Sequence, residues 1–288
     1  MTSSLVGSEM CIRDSIYIYM DKVKKRGEVI SADQRLSIST RYKRVTRAIN
    51  SEFWNSSSEI AHSLYVGSYG RGTAIDTSDI DILVELPEAE YNRYDSLKGN
   101  GQSRLLQAIK NTILQTYPKS DIHADGQVVV INFSDGIKFE ILPAFPKRDI
   151  WGSYTGEYSY PDTNMGGKWK TTNPKIEQEA MKNRNDNTNG LLLDTCKHMR
   201  QIRDTHFSSY HLPGIVIDSF VYHYIANWRW CKNGEEGAPT GTYEKKLYNS
   251  CPLYSFYLTA PGSDMPVDTS DCIDVLNKVL RYMSKDEQ

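Results

Sequence analysis

The stretch VGSYGRGTAIDTSDIDILVEL, from Val66 to Leu86, places a glycine-rich loop directly before a strand that begins among aspartates. Its second half, DIDILVEL, is rich in β-branched residues and alternates in the way of a half-buried strand. Because residues two apart in a strand lie on the same face, Asp79 and Asp81 point the same way. Carboxylates this close repel each other unless a cation lies between them. The pattern predicts a metal site, and the alternative is a pair of solvated residues at a strand entrance.

The loop before this strand is suited to an anion. Gly67 and Ser68 end a short apolar strand, LYV, and Gly70 and Gly72 keep the following backbone free of side chains. Such a turn exposes N–H groups and a hydroxyl, and a helix beginning there would add its positive end. We expect a phosphate to bind here, although a glycine-rich hairpin without a ligand has the same composition. The spacing differs from the Walker pattern, so the loop is not a P-loop.

A third acidic residue follows in QVVVINFSDGIKFEILPAF, residues 127–145. Two β-rich runs flank the turn formed by Ser134, Asp135 and Gly136, which is the signature of a hairpin. Glu140 lies among large apolar residues of the second run, where an unpaired carboxylate is costly. A two-metal site for phosphoryl transfer uses such a carboxylate from a neighbouring strand. The alternative for Glu140 is a salt bridge or an edge position.

Helices are predicted on both sides of these strands. Ser31 and Gln34 form a capping-box signature, and apolar residues then recur at helical spacing as far as Phe53. The same spacing returns within residues 213–230 and 270–283. We interpret these faces as parts of the core rather than as ligand sites.

Composition limits the function classes that are open to this chain. The 288 residues carry a net charge of -2, which argues against the strongly basic face of a protein that binds duplex DNA stably. No apolar run approaches the length of a bilayer span, so no membrane crossing is expected. Without C-x-x-C spacing, the five cysteines indicate reduced thiols in a cytosol: Cys11, Cys196, Cys231, Cys251 and Cys272. Residues 1–15 lack periodicity, and we expect a non-native or disordered tail there.

Three motifs occur in a characteristic order: G-S-Y-x-R-G-T-A-I, then S-D-I-D-I-L-V, then F-E-I-L-P-A-F. Together they resemble the CD-NTases, which are bacterial cyclic oligonucleotide synthases of anti-phage signalling systems. These are relatives of cyclic GMP-AMP synthase and oligoadenylate synthase among the polymerase-β-like nucleotidyltransferases. The resemblance implies an α+β fold, with a mixed sheet flanked by helices in residues 16–150 and a helical half in residues 151–288. It also implies an active cleft between the two.

The resemblance assigns roles to particular residues. Asp79, Asp81 and Glu140 would hold two Mg²⁺ ions, with Mn²⁺ as an alternative metal, although many relatives carry aspartate at the position of Glu140. The implied nucleotide-binding residues are Gly67, Ser68, Tyr69, Arg200, Ser209 and Tyr210. Within FSSYHL, the serine would contact the triphosphate and the tyrosine would stack on a base. Arg200 stands at the position where the family has a lysine. An arginine keeps the positive charge of the lysine and presents its N–H donors in a planar fork.

The segment YPDTNMGGKWKTTNPK, residues 160–175, is interpreted as a loop that enters a helix near Pro174. It resembles a family segment that lines the nucleotide pocket, which makes Lys168, Trp169 and Asn173 candidate contacts. A surface loop anchored to the core by its tryptophan explains the same residues equally well.

The function implied by the resemblance is that of a monomeric, cytoplasmic enzyme that joins NTPs, ATP among them, into a cyclic di- or trinucleotide and releases pyrophosphate. A product-binding effector protein and a regulatory partner are the implied partners. No Cys/His cluster like that of the animal DNA sensor is present, so DNA activation is not implied. Two alternatives stay open: a nucleotidyltransferase that modifies RNA ends or proteins without cyclising, and an inactive nucleotide-binding module.

Overall fold

The computed structural model describes residues 11–12, 30–239, 241–252, 256–263 and 265–285. The chain forms two compact units, which we call the sheet unit, Ile30–Lys175, and the helical unit, Ile176–Gln288 together with Met1–Val29. The predicted boundary at residue 150 is therefore wrong by 25 residues, because a further hairpin continues the sheet. The tail predicted for residues 1–15 falls outside the described residues, except for the short strand β1 (Cys11–Ile12). None of the described helices is long and apolar enough to span a bilayer.

The sheet unit combines helices with a run of five consecutive strands, as in an α+β fold. Its helices are α1 (Ala32–Phe53), α2 (Gly67–Arg71), α3 (Glu88–Asp95) and α4 (Gly101–Thr116). Its strands are β2 (Ser63–Tyr65), β3 (Ile80–Glu85), β4 (Asp121–Asp125), β5 (Val128–Asn132), β6 (Lys138–Arg148), β7 (Tyr154–Asp162) and β8 (Lys168–Thr172).

These strands form one mixed sheet. The order is β2-β3-β6-β5-β4, and β7 and β8 extend the sheet from β6. The central pair, β3 and β6, is parallel, whereas every other pair is antiparallel. The parallel pair matters most for the site, because it brings the start of β3 level with the start of β6.

The capping box predicted at Ser31 is confirmed: its hydroxyl accepts from the Gln34 N–H, and the Gln34 side chain accepts from the Ser31 N–H. One face of α1, which includes Ile38, Val45 and Ile49, is buried in the main core with apolar residues of α4, β3 and β6. The hairpin predicted at residues 134–136 joins β5 to β6 and is tied to α1 by a bidentate Arg41–Asp135 ion pair.

The two faces of β3 and β6 have different roles. Ile80, Ile82 and Val84 of β3 face the main core, together with Phe139 and Ile141 of β6. The alternate residues point to the opposite face, because successive side chains along a strand alternate. On that opposite face, Val66, Leu83, Ala144 and Tyr158 form a smaller buried apolar cluster. Asp81 and Glu140 share this second face.

The segment predicted as a loop, residues 160–173, is mostly extended. β7 ends at Asp162, a short turn follows, and β8 pairs with β7 along its length. The loop prediction was wrong because glycine and asparagine are concentrated in the turn, whereas the KWKTT strand has no apolar alternation to reveal it. Helix α5 (Pro174–Asn187) begins at Pro174 as predicted and leads into the helical unit.

The helical unit contains α6 (Leu191–His206), α7 (Gly214–Tyr224), α8 (Thr242–Asn249) and α9 (Ile273–Lys285), with short strands β9 (Arg229–Trp230), β10 (Leu258–Thr259) and β11 (Pro266–Val267). The strands pair as β1 with β9 and β10 with β11. Apolar residues of these helices and of α5 form one core, including Met181, Met199, Phe220, Leu247 and Leu276.

Buried polar side chains are part of this helical core. His198 is 5% exposed, and burial lowers the pKa of its imidazole to about 3. Cys196, Cys251 and Cys272 are free thiols, whereas Cys231 is disulfide-bonded. The prediction that all five cysteines are reduced is therefore corrected, because sequence spacing does not show which thiols the fold brings together.

Candidate active site

The glycine-rich loop lies directly against the first carboxylate strand. Gly67 follows β2, has a φ of +57°, and begins the one-turn helix α2. A Cβ atom at this position would overlap the Asp81 carboxylate, so only glycine allows the loop to approach so closely. The Val66 N–H donates to the Asp81 carbonyl at 2.9 Å, which fixes the loop to the strand. The sequence motif and the carboxylates therefore form one local structure.

Two of the predicted carboxylates lie opposite each other on the parallel strands. Asp81 of β3 is the Cα partner of Glu140 of β6, and Asp79 immediately precedes β3. Alternation along the strand places Asp79 and Asp81 on one face. The structure therefore places Asp79, Asp81 and Glu140 on one face, at the N-terminal ends of β3 and β6.

The cluster of carboxylates changes the acidity of its members. Burial raises the pKa of Asp81 to about 7, and the neighbouring Glu140 acts in the same direction while Arg71 opposes it. An Asp with this pKa holds its proton far more readily than an exposed one. A bound cation would lower this pKa, because it would stabilise the ionised carboxylate that burial and the neighbouring Glu140 disfavour.

A lysine that the sequence analysis did not single out lies among these carboxylates. The Lys138 Nζ donates to Asp79 Oδ2 at 2.9 Å and to Glu140 Oε1 at 2.6 Å. Burial opposes its charge, but the hydrogen bonds that it donates to Glu140 and Asp79 outweigh burial and raise the pKa of Lys138. Its position two residues before Glu140 was the available signal, because that spacing puts it on the same face.

The chemistry of these residues fits a divalent metal. Carboxylate oxygens are the ligands that Mg²⁺ and Mn²⁺ prefer, and the ammonium of Lys138 already takes the place of a cation between two of them. Among the described residues, no three acidic, histidine or cysteine side chains converge closely enough to enclose an ion. The Lys138 ammonium lies between Asp79 and Glu140 and donates to both.

Ser68 and Tyr69, the other residues predicted in the loop, both stabilise the local fold. The Ser68 carbonyl accepts from the N–H groups of Thr73 and Ala74, which closes the turn after α2. The Tyr69 ring is tilted against Tyr65 at a centroid distance of 4.7 Å and packs on the main core. Nucleotide contacts of Ser68 and Tyr69 stay predictions.

In the helical unit, Ser209 and Tyr210 lie in the turn that follows α6, and both are exposed. The Tyr210 N–H donates to the Phe207 carbonyl at 2.9 Å, which fixes the turn. Lys278 of α9 lies over the Tyr210 ring, 4.2 Å from its centroid. The tyrosine is thus half exposed beside a positive charge, an environment suited to a base or a phosphate.

The nucleotide contact predicted for Arg200 does not fit its position. Its side chain is 1% exposed, and its guanidinium donates to both Asp218 carboxylate oxygens, at 2.6 and 2.9 Å. It also donates to the Gly214 carbonyl at 3.0 Å. This arginine is an internal ion pair between α6 and α7, because α7 carries an aspartate on its buried face. The aspartate that interrupts the apolar run of α7 was the signal for this pairing.

The residues of β8 favour the structural alternative. The Trp169 ring contacts Tyr91 and Phe145, and its Nε1–H donates to Asp95 at 2.8 Å. Lys168 lies 3.7 Å from the buried carboxylate of Asp162. The tryptophan thus anchors β8 to the core. A contact of Lys168 or Asn173 with nucleotide stays a prediction.

A cavity of about 600 Å³ also lies in the sheet unit, but it contains none of the predicted site residues. Its lining includes Trp54, Tyr91, Phe145 and Lys147, near the C-terminal ends of β3 and β6. The carboxylates lie at the opposite, N-terminal ends of these strands. This cavity is therefore separate from the carboxylate cluster.

A family model described as the Second Messenger Oligonucleotide or Dinucleotide Synthetase domain, SMODS, matches residues 22–185, which is more than half of the chain. The chain belongs to the SMODS family. The residues matched to SMODS include the glycine-rich loop and all three carboxylates. The resemblance to the CD-NTases that the three motifs indicated is thereby confirmed.

Individual relatives of this SMODS chain agree with that assignment. A curated protein of Bacillus cereus strain VD146, named a probable cyclic nucleotide synthase, is 27% identical over 203 residues, which are 63% of this chain and 57% of the relative. The alignment therefore spans little more than half the length of that relative.

Solved structures share the fold of this SMODS chain. The CdnE cyclic dinucleotide synthase of Elizabethkingia meningoseptica, determined with GTP and Apcpp, has a TM-score of 0.58 at 14% identity, covering 84% of this chain and 89% of its own. The CdnC of E. coli MS115-1, determined with ATP, has a TM-score of 0.59 at 11% identity, covering 91% of this chain and 88% of its own. The α+β, polymerase-β-like fold is thereby confirmed.

Proposed function

We propose that this protein is a nucleotidyltransferase that joins NTPs into a cyclic di- or trinucleotide and releases pyrophosphate. The observation that carries the proposal is the parallel register of Asp81 with Glu140, with Asp79 on the same face, in a chain of the SMODS family. Aligning acidic side chains at one end of a strand pair costs folding free energy, because the carboxylates are partly buried and repel each other. It is explained by a reaction that needs concentrated negative charge.

The three carboxylates would act as ligands and as a positioning device. Bound divalent ions would neutralise the phosphates and lower the pKa of the attacking ribose hydroxyl. The hydroxyl oxygen forms the new bond to the α-phosphorus, the bond from the α-phosphorus to the bridging oxygen of the β-phosphate breaks, and the hydroxyl proton passes to a water molecule while pyrophosphate leaves. The role of Asp79, Asp81 and Glu140 is to hold the charges of this step in fixed positions.

The loop and the exposed tyrosine would bind the substrates. Gly67 lets the loop backbone lie against the carboxylate strand, where Ser68 would contact the triphosphate of the donor nucleotide. Tyr210 would stack on a base, which is worth about 1 to 3 kcal/mol per base in comparable sites. Ser209 would contact phosphate. Lys278, over the Tyr210 ring, adds positive charge beside it.

Finer features of the proposal rest on the family relationship. They are dependence on Mg²⁺ with Mn²⁺ as a substitute, ATP among the substrates, a role in anti-phage defence, and a product that binds an effector protein. A cytoplasmic location and a regulatory partner belong to the same set of predictions. The near-neutral net charge supports small nucleotides over a nucleic-acid primer, which would require a basic track.

The experiment that tests this proposal is incubation of the purified chain with all four NTPs and Mg²⁺, followed by phosphatase treatment and mass spectrometry. The test variant is Asp79→Ala/Asp81→Ala. The matched control is Asp121→Ala/Asp125→Ala, which removes two exposed aspartates from β4 of the same sheet. A phosphatase-resistant product is expected from the wild type and from the control, but not from the test variant.

Two other results would overturn the proposal in different ways. Linear, phosphatase-sensitive extension products would show a nucleotidyltransferase that does not cyclise. No product, together with a melting temperature that NTP and Mg²⁺ leave unchanged, would show that the chain neither reacts with nor binds nucleotides.

A further inference from the structure

We propose that Lys138 is an internal counter-ion that occupies the cation position of the carboxylate cluster and is displaced when metal and nucleotide enter together. This inference deepens the proposed function and rests on it. It assigns a positioning role to Lys138, which lies one residue before the motif F-E-I-L-P-A-F.

The geometry places one ammonium group between two strands. Lys138 is the first residue of β6, and Glu140 follows it on the same face. Phe139 pairs with Ile80 and Glu140 with Asp81, so the next position toward the N-terminus brings Lys138 level with Asp79. The Nζ distances of 2.9 Å to Asp79 and 2.6 Å to Glu140 follow from this register.

The lysine and a metal ion cannot share these oxygens. Mg²⁺ coordinates oxygen at about 2.0 to 2.1 Å and requires near-octahedral geometry. An ammonium group bonded to the same Asp79 and Glu140 oxygens would lie within contact distance of that ion, and two positive charges at such a separation repel strongly. Entry of a metal therefore requires the ammonium to leave.

Displacement of Lys138 is structurally simple. Its side chain is 34% exposed, and the flexible four-carbon stem allows the ammonium to move while the strand stays paired. A metal ion that binds alone breaks the ion pairs of Lys138 with Asp79 and Glu140 and offers the displaced ammonium no new acceptor. A metal that arrives with a triphosphate brings phosphate oxygens to which the displaced Nζ can donate. The lysine thus opposes binding of metal alone and favours joint binding of metal and nucleotide.

The test measures binding of Mn²⁺ alone by electron paramagnetic resonance, without any turnover. Lys138→Met is expected to bind Mn²⁺ at least ten-fold more tightly than the wild type, because the carboxylates lose their internal cation. Lys138→Gln serves as a second variant if the methionine variant folds poorly. A non-hydrolysable ATP analogue is expected to tighten Mn²⁺ binding less in either variant than in the wild type.

The matched control is Lys147→Met, which removes a lysine from the same strand that is paired with Glu157 at 2.7 Å. This variant is expected to bind Mn²⁺ as the wild type does. Equal Mn²⁺ affinity for wild type and both Lys138 variants would overturn the inference. If Asp79→Ala/Asp81→Ala abolishes Mn²⁺ binding in that case, the proposed metal site survives without the role of Lys138. If the double variant binds Mn²⁺ unchanged, the proposed metal site itself is wrong.

Discussion

Asp81 and Glu140 are partners across two parallel strands, although 58 intervening residues separate them along the chain. Their carboxylates belong to the same face, and the raised pKa of Asp81 is in part an effect of Glu140. The two residues therefore act as one electrostatic unit, and a change in either should alter the charge that the other presents.

The charge of Glu140 should be necessary for synthesis. Glu140→Gln keeps the shape of the side chain but removes a charged ligand, so product formation should fall by roughly 100-fold, equivalent to about 3 kcal/mol of transition-state stabilisation. Glu140→Asp should stay within about ten-fold of the wild type, since the carboxylate charge is kept and only one methylene is lost. The measurement is the initial rate of product formation. Glu157→Gln, on β7, is the control and should be close to wild type, whereas full activity of Glu140→Gln would exclude a role for the charge.

The approach of the loop to Asp81 should depend on Gly67. Gly67→Ala would place a Cβ atom on the Asp81 carboxylate, and synthesis should fall by at least 100-fold as loop and carboxylate separate. Gly136→Ala is a matched control, because its φ of +86° imposes a similar backbone strain of about 1 kcal/mol, but no atom lies near the new Cβ. Rates and melting temperatures of both variants should be compared. Equal rates would show that the close approach is irrelevant to the chemistry.

The buried pair of Arg200 and Asp218 should stabilise the helical unit. Arg200→Met leaves the Asp218 carboxylate buried without its partner and should cost about 3 to 5 kcal/mol in the free energy of unfolding. The double variant Arg200→Met/Asp218→Leu should recover most of that loss, because both charges are removed together. Urea unfolding measures the difference. A loss below about 1 kcal/mol for Arg200→Met would argue against a structural role.

The buried His198 should make stability depend on pH. Its pKa in the folded protein is about 3, below the value near 6.5 of an unfolded chain, so the unfolded state takes up a proton first as pH falls. Stability should therefore decrease below pH 6.5, by about 2 kcal/mol between pH 7 and pH 5. His198→Leu should lose this part of the pH dependence, whereas His211→Leu, at an exposed position of the same unit, should keep it. Unfolding by urea across this pH range gives the slopes, and identical slopes for wild type and His198→Leu would contradict the assignment.

The ring of Tyr210 should contribute to nucleotide binding. Tyr210→Ala should raise the KM for NTPs by about 5- to 150-fold, corresponding to the loss of about 1 to 3 kcal/mol of stacking. Tyr210→Phe should behave as the wild type, because it keeps the aromatic face. Tyr257→Ala removes another exposed tyrosine of the helical unit and provides the control. If Tyr210→Ala leaves the KM unchanged, the base stacks elsewhere.

Features with a local cause could be predicted from the sequence. The capping box at Ser31, the turn at residues 134–136 and the common face of Asp79 and Asp81 all depend on residues close together in the chain. The sequence was a weaker guide to which strands and helices pack against each other. The KWKTT strand lacks an apolar alternation, so its pairing with β7 has no signal in its own residues.

The sequence by itself determined the class of chemistry, because the period of a strand fixes which acidic side chains share a face, whatever surrounds them. Tertiary structure alone decided what those side chains contact. The parallel register of β3 and β6 gives Lys138 two carboxylates from different strands, and the packing of α6 on α7 buries Arg200 against Asp218. Contacts of this kind join residues far apart in the chain, and their geometry is set by the packing of whole elements rather than by the spacing of neighbours.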